Sequence, residues 1–207
     1  MRILIFGATG ATGRALVSQA LELGHEVTAF ARRPEALGSR ERLRVVKGDT
    51  RDRASVEQAV PGHDAALSAL GIGMSLVPST LMADSMRNIV PALERAGVKR
   101  FVLMSAFGVG ETRNAAPPLP RLFYSTLLAG IFADKRDAEN VLRASALDWT
   151  IVYPVMLTHG PVTGRYRAGE QLKLRGMPAI SRSDVAHFML REAAERRYLR
   201  QGVVLSY

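Results

Sequence analysis

The chain has 207 residues, 47% of them apolar, which is enough for one sizeable core and excludes a disordered chain. It has no cysteine, so disulfide frameworks, thiol nucleophiles and zinc–thiolate sites are excluded, and its four histidines (His25, His63, His159, His187) never fall at metal-ligand spacing. Net charge is +9, which favours anionic partners, but 24 of the 28 basic residues are arginines scattered along the chain, with no aromatic-rich basic stretch, and no nucleic-acid partner is expected.

In chain order, Arg2–Phe6 is a short apolar run ended by Gly7 and reads as a strand. Residues 11–23 place Ala15, Leu16, Ala20, Leu21 and Leu23 at helical spacing, and Gly24 ends that helix. Residues 26–31 (EVTAFA) and 43–47 (LRVVK) are strand-like; 52–60 is helical, with Asp49 or Thr50 available as N-cap. Residues 64–69 form a fourth strand, 79–96 a long helix ending at Gly97, and 99–104 a fifth strand. Residues 134–146 are helical and 149–153 (WTIVY) form a sixth strand. The clearest irregular segments are 106–121 and 154–180, both after strand ends. The longest convincingly apolar stretch without charge, Leu122 to Ala133, is shorter than the roughly 20 residues of a spanning helix, and the N-terminus is a poor secretory segment.

Alternation of strand and helix with short connections implies βαβ crossovers and a buried parallel sheet. A doubly wound, Rossmann-like α/β fold with strand order 3-2-1-4-5-6 and helices on both faces follows, as one cytoplasmic domain over 1–207, monomeric or homodimeric and without a membrane partner.

Gly7-Ala8-Thr9-Gly10-Ala11-Thr12-Gly13 lies between the first strand and the first helix. Gly7 permits the sharp turn, Gly10 lets a pyrophosphate approach the backbone, and Gly13 lets helix and strand pack closely. The helix N-terminus supplies free N–H groups and positive potential, and Thr9 and Thr12 add hydroxyls. No Lys-Ser or Lys-Thr follows the last glycine, so this is not a P-loop. An NAD-preferring site carries an acid about 20 residues further on; here Arg32 and Arg33 occupy that place and suit a 2′-phosphate. The expected cofactor is therefore NADP(H). Asp49 ends the third strand, where it could accept from an adenine amino group or only cap a helix; Thr50 follows it. Ser68-Ala69-Leu70-Gly71 ends the fourth strand with small residues that admit a cofactor ribose or simply leave the sheet.

Together GATGATGR (7–14), GHEVTAFARRPE (24–35), KGDTRD (47–52), GHDAALSALG (62–71), KRFVLMSAFG (99–108) and LDWTIVYP (147–154) resemble the atypical short-chain dehydrogenase/reductase group, the NmrA-like NAD(P)H-binding proteins. The resemblance covers nearly the whole chain. PPLPRL (117–122), VLRASAL (141–147), PVTGRY (161–166) and ISRSDVAHFMLR (180–191) look closest to the biliverdin-IXβ reductase/flavin reductase branch. The last of these reads as a helix start capped by Ser181 or Ser183, with Val185, Phe188 and Met189 inward.

The resemblance implies hydride transfer from NADPH to a planar conjugated acceptor such as a flavin, tetrapyrrole or quinone. It places Ser105 near the nicotinamide as the candidate catalytic group, or as a plain strand end, and Lys135 where the NmrA-like family carries a ribose-binding Lys. The flavin reductase branch shows a different residue there, and a surface charge beside Asp134 is the other reading. Tyr153 and Pro154 complete the expected cofactor contacts. Acceptor-binding candidates are Phe107, Phe123, Tyr124, Met156, Leu157 and Tyr166. His159 is a proton-donor candidate off the family pattern, with Met156 roughly at the family's position. No tyrosine stands four residues before a lysine; Ile131 precedes Lys135. The Tyr-x-x-x-Lys pair of the usual alcohol dehydrogenases is thus absent, which suits acceptors needing little general acid. It equally suits a non-catalytic NADP(H) sensor, as some NmrA-like proteins are.

Overall fold

A computed structural model describes residues 1–71, 79–114, 129–174 and 176–207. Strands β1 (Arg2–Phe6), β2 (Glu26–Ala31), β3 (Leu43–Lys47), β4 (Ala65–Ser68), β5 (Arg100–Met104) and β6 (Asp148–Pro154) pair in parallel in the order β3-β2-β1-β4-β5-β6, the expected one. Ile3, Leu4, Ile5 and Phe6 are all fully buried. Such an unbroken apolar run marks a strand covered on both faces.

The covering helices are α1 (Ala11–Glu22), α2 (Arg53–Ala59), α3 (Leu81–Arg95), α4 (Ala129–Arg143) and α5 (Arg182–Glu195). α1 packs on α5, while α3 packs on α2 and α4, so the helices form two layers. α2 is capped by Asp52, whose carboxylate accepts from the Ala54 N–H at 3.1 Å, and not by Asp49 or Thr50, because the helix starts later than its pattern suggests. α3 receives its cap from a neighbour: Asp134 of α4 accepts from the N–H groups of Met82 (3.0 Å) and Ala83 (2.8 Å). α5 is capped by Ser181, with Val185, Phe188 and Met189 buried as expected.

Two departures from the expectation lie beyond β6. Segment 154–180 is not wholly irregular: it contains β7 (Met156–Thr158), β8 (Arg167–Gly169) and β9 (Ala179–Ser181). β7 and β9 form a separate parallel pair. Strands of three residues are too short to display a period-2 pattern. The C-terminal run Gln201–Ser206 is β10, parallel to β6, and β8 closes the sheet edge antiparallel to β10. Asp184 ties this region down: its buried carboxylate accepts from the Thr163 and Gly164 N–H groups and from the Thr163 and Tyr207 hydroxyls.

Candidate active site

Gly7 adopts φ +73°, and a Cβ there would stand 2.7 Å from the Ala69 carbonyl carbon. A Cβ on Gly13 would collide with the Gly7 carbonyl oxygen. Both glycines are therefore fixed by backbone approaching backbone. Gly10 and Gly71 differ: among the described residues, a Cβ at Gly10 would meet only the Gly7 oxygen at 3.4 Å, and one at Gly71 nothing within 4 Å. These two leave open space in front of the turn. The first N–H groups of a helix have no intrahelical partner, and among the described residues no side chain caps those of α1, which starts at the edge of this opening with Gly10 as its N-cap.

A cavity of about 190 Å³ lies there. It gathers eight of the expected cofactor residues: Gly7, Thr9, Gly10, Arg32, Thr50, Ala69, Leu70 and Gly71. Ala11, Thr12 and Gly13 support it from the first turn of α1. Arg33 is exposed beside Arg32. Sequence reasoning missed Phe30, Ala31, Gly48 and Leu81, which complete the wall. A Cβ at Gly48 would collide with the Phe30 ring, which packs edge-on against Phe6 at 5.5 Å. The glycine before Asp49 was the available signal.

Asp49 is turned elsewhere. Its carboxylate accepts from the Arg51 N–H (2.9 Å) and guanidinium (2.9 and 3.3 Å), which hold it below the usual carboxylate range. The Thr50 hydroxyl lies 2.6 Å from that of Ser85, and its carbonyl accepts from Asn88. Both tie the loop to α3. A larger cavity, about 550 Å³, opens at the N-terminal strand ends beside Arg2, Arg42 and Arg44; none of the expected site residues lines it.

The second half of the site lies where β5 and β6 end. The Ser105 N–H bonds the Val152 carbonyl, and the Phe107 N–H bonds that of Pro154, so the β5 exit stays against β6. The Ser105 hydroxyl donates to Glu139 of α4 at 2.5 Å, and Tyr153 of β6 donates to the other oxygen at 2.7 Å. Arg143 donates to the Tyr153 hydroxyl at 3.0 Å, pairs with Glu111 at 2.9 Å, and stacks over Trp149. Glu139 is 1% exposed and Ser105 4%. Burial pushes the Glu139 carboxyl up, against hydrogen bonds from Ser105 and Tyr153 and the charges of Arg143 and Lys135. Burial and the adjacent Glu139 also push the Tyr153 hydroxyl up.

Tyr153 therefore departs from expectation. Its hydroxyl is engaged by Glu139 and Arg143 beneath the sheet end, because strand alternation turns it toward α4. Lys135 sits one helical turn before Glu139 and is half-buried; burial lowers its ammonium, while Glu139 and Asp134 pull the other way. Met156 is 53% exposed, and Phe107 and Leu157 are half-buried. Tyr166 is half-buried; its hydroxyl lies 2.8 Å from His187 Nδ1 and its ring packs edge-on to Phe188. Burial pushes that hydroxyl up to about 12. Phe123 and Tyr124 lie outside the described residues.

Residues 7–196 match the model of a family described as NAD(P)H-binding. A Bacillus subtilis (strain 168) protein, named as an uncharacterized sugar epimerase YhfK, is 30% identical over 206 residues, which cover 95% of this chain and 89% of that protein. Two solved structures share the fold. One, described as a short-chain dehydrogenase/reductase from Veillonella parvula in complex with NADP, has TM-score 0.83 at 22% identity and covers 100% of this chain and 94% of that one. The other, described as ChuY, an anaerobillin reductase from Escherichia coli O157:H7, has TM-score 0.80 at 24% identity and covers 99% and 96%.

Proposed function

The chain belongs to the NAD(P)H-binding family, and on that premise we propose that it is an NADPH-dependent reductase of a planar conjugated acceptor: a flavin, a tetrapyrrole or a quinone. The observation that carries the reading is the glycine cradle with Arg32 in its wall and no acidic residue at the β2 end. The residues fit a nicotinamide dinucleotide. Gly10 and Gly71 leave the space a bound group would fill, and the unpaired N–H groups of α1 suit a pyrophosphate. Arg32 and Arg33 would hold a 2′-phosphate, which a carboxylate in that place would repel.

When bound, the cofactor supplies hydride. The chain's own part is placement. The backbone of Ala69–Gly71 lines the cradle, and Lys135 would reach the ribose. Ser105 presents its hydroxyl at the end of β5, and Phe107, Met156 and Leu157 offer apolar surface to a flat acceptor. Ile131 stands where the tyrosine of a Tyr-x-x-x-Lys pair would, so that pair supplies no general acid. Holding donor and acceptor face to face then carries most of the rate enhancement.

The test is NADPH oxidation followed by absorbance with flavin, biliverdin and quinone acceptors. The relative described as an anaerobillin reductase puts tetrapyrroles first. Consumption well above a protein-free control, faster with NADPH than with NADH, is expected. Tight NADPH binding without turnover would overturn the reductase reading in favour of a nucleotide sensor.

A further inference from the structure

Glu139 has no part in cofactor placement, yet it lies directly behind the one hydroxyl that the proposed reaction uses. We propose that the Glu139 carboxyl is the proton store of the site, and that it releases its proton through the Ser105 hydroxyl. The inference rests on the reductase reading and names the proton source that reading lacks.

The geometry is specific. One carboxyl oxygen takes the Ser105 hydroxyl at 2.5 Å and the other the Tyr153 hydroxyl at 2.7 Å. A Cβ at Gly110 would collide with the second oxygen, so the backbone of the turn after β5 roofs Glu139 and keeps water off it. Ser105 is then the group that joins this carboxyl to the strand-end site. When Glu139 is ionised, Ser105 must donate inward and offers only lone pairs to the site. When Glu139 is protonated, its O–H can donate to Ser105 Oγ, and the serine hydroxyl turns outward as a donor. The protonation state of one buried group thus sets the polarity of the hydroxyl facing the acceptor.

The step balances. Hydride, carrying two electrons, adds from the reduced nicotinamide dinucleotide to an electrophilic atom of the acceptor, a carbon in a tetrapyrrole or a ring nitrogen in a flavin. The Ser105 O–H bond breaks as its proton goes to an acceptor heteroatom, and the Glu139 O–H bond breaks as its proton restores the serine. Glu139 is left as a carboxylate and regains a proton from solvent after product leaves.

Several charged and titratable groups act on this carboxyl. Lys135 and Arg143 lie one turn to either side of it on α4. Tyr153 comes from β6, with Arg143 behind its hydroxyl and Glu111 behind Arg143. α3 meets α4 through Asp134, whose oxygens are engaged by backbone N–H groups. Desolvation outweighs the cations and holds the carboxyl above the ordinary glutamate value.

The test pairs a titration with kinetics. Infrared spectra of the protein without nucleotide, recorded across pH, should contain a buried protonated-carboxyl band that persists above the ordinary glutamate range and is missing in Glu139→Gln. In turnover with the best acceptor, kcat should fall as pH rises through the midpoint of that band. Glu139→Gln should lose this pH limb and lower kcat about a hundredfold, with KM for NADPH unchanged. Ser105→Ala should lose the limb while keeping the band, and carries the test if the glutamine variant fails to fold. No band at neutral pH, or turnover with the wild-type pH profile in both variants, overturns the proton route and leaves the reductase reading standing. Failure to oxidise NADPH with any acceptor overturns both.

Discussion

At the β1 end of the sheet, the site is made of backbone: Gly7 and Gly13 bring main chain against main chain, and α1 begins there without a side-chain cap. At the β5–β6 end it is made of side chains. Ser105, Glu139, Tyr153 and Arg143 come from a strand exit, a helix and a second strand, and they meet only after folding. The first arrangement suits the NAD(P)H of the family description; the second is where an acceptor would be met. The two ends should therefore fail in different ways.

The largest effect is expected at the backbone end. Gly13→Ala drives a Cβ into the Gly7 carbonyl, and should weaken NADPH binding more than about a hundredfold and destabilise by about 3 kcal/mol. Titration calorimetry and denaturant unfolding check the two losses.

Next is Asp184, which anchors the loop beside the side-chain end. Asp184→Ala leaves the Thr163 and Gly164 N–H groups unpaired and should cost about 3 kcal/mol. Although burial raises it, hydrogen bonds led by that of Tyr207 hold this carboxyl below its ordinary value. Its contribution is therefore present above the unfolded pKa of about 4 and is lost as pH falls through the lower, folded value. Wild-type Tm should drop across that acid window, and the variant should show a smaller drop.

Arg32→Ala with Arg33→Ala should weaken NADPH binding about 10- to 100-fold while sparing NADH. Equal losses for both nucleotides would mean that the arginines do not read the 2′-phosphate. The smallest and most discriminating change is Gly10→Ala. Its Cβ meets nothing closer than 3.4 Å, so stability should shift by under about 1 kcal/mol, while NADPH affinity falls about tenfold as the methyl enters the cradle. Unchanged affinity would place the pyrophosphate elsewhere.

The same contrast explains what could be read from the chain in advance. The glycine turn is contiguous, so its role is legible from seven consecutive residues, and strand–helix alternation fixes the order of the first six strands. β10 was missed because its apolar run is only Val203–Leu205, three residues between polar neighbours after the last helix. Orientation was the other blind spot. The motif around Asp49 tells its position but not that Arg51 engages its carboxylate, and the strand end tells the position of Tyr153 but not that its hydroxyl faces α4. Glu139 lies 34 residues from Ser105, and no local motif joins them. A signal existed all the same: Glu139 shares a helical face with the buried Ala138 and Leu142, where an unpaired carboxylate would be costly, so a partner had to exist.

In the proposed reaction, hydride passes directly from NADPH held in the cradle to an acceptor held against Ser105. The most direct measurement is one turnover with NADPH deuterated at nicotinamide C4, on the transferred face, with the product weighed by mass spectrometry. With a tetrapyrrole acceptor, whose receiving atom is a carbon that does not exchange with water, direct transfer gives one deuterium in the reduced product and none left at that position of the nucleotide. Deuterium retained in the nucleotide, with the acceptor unreduced, would contradict it.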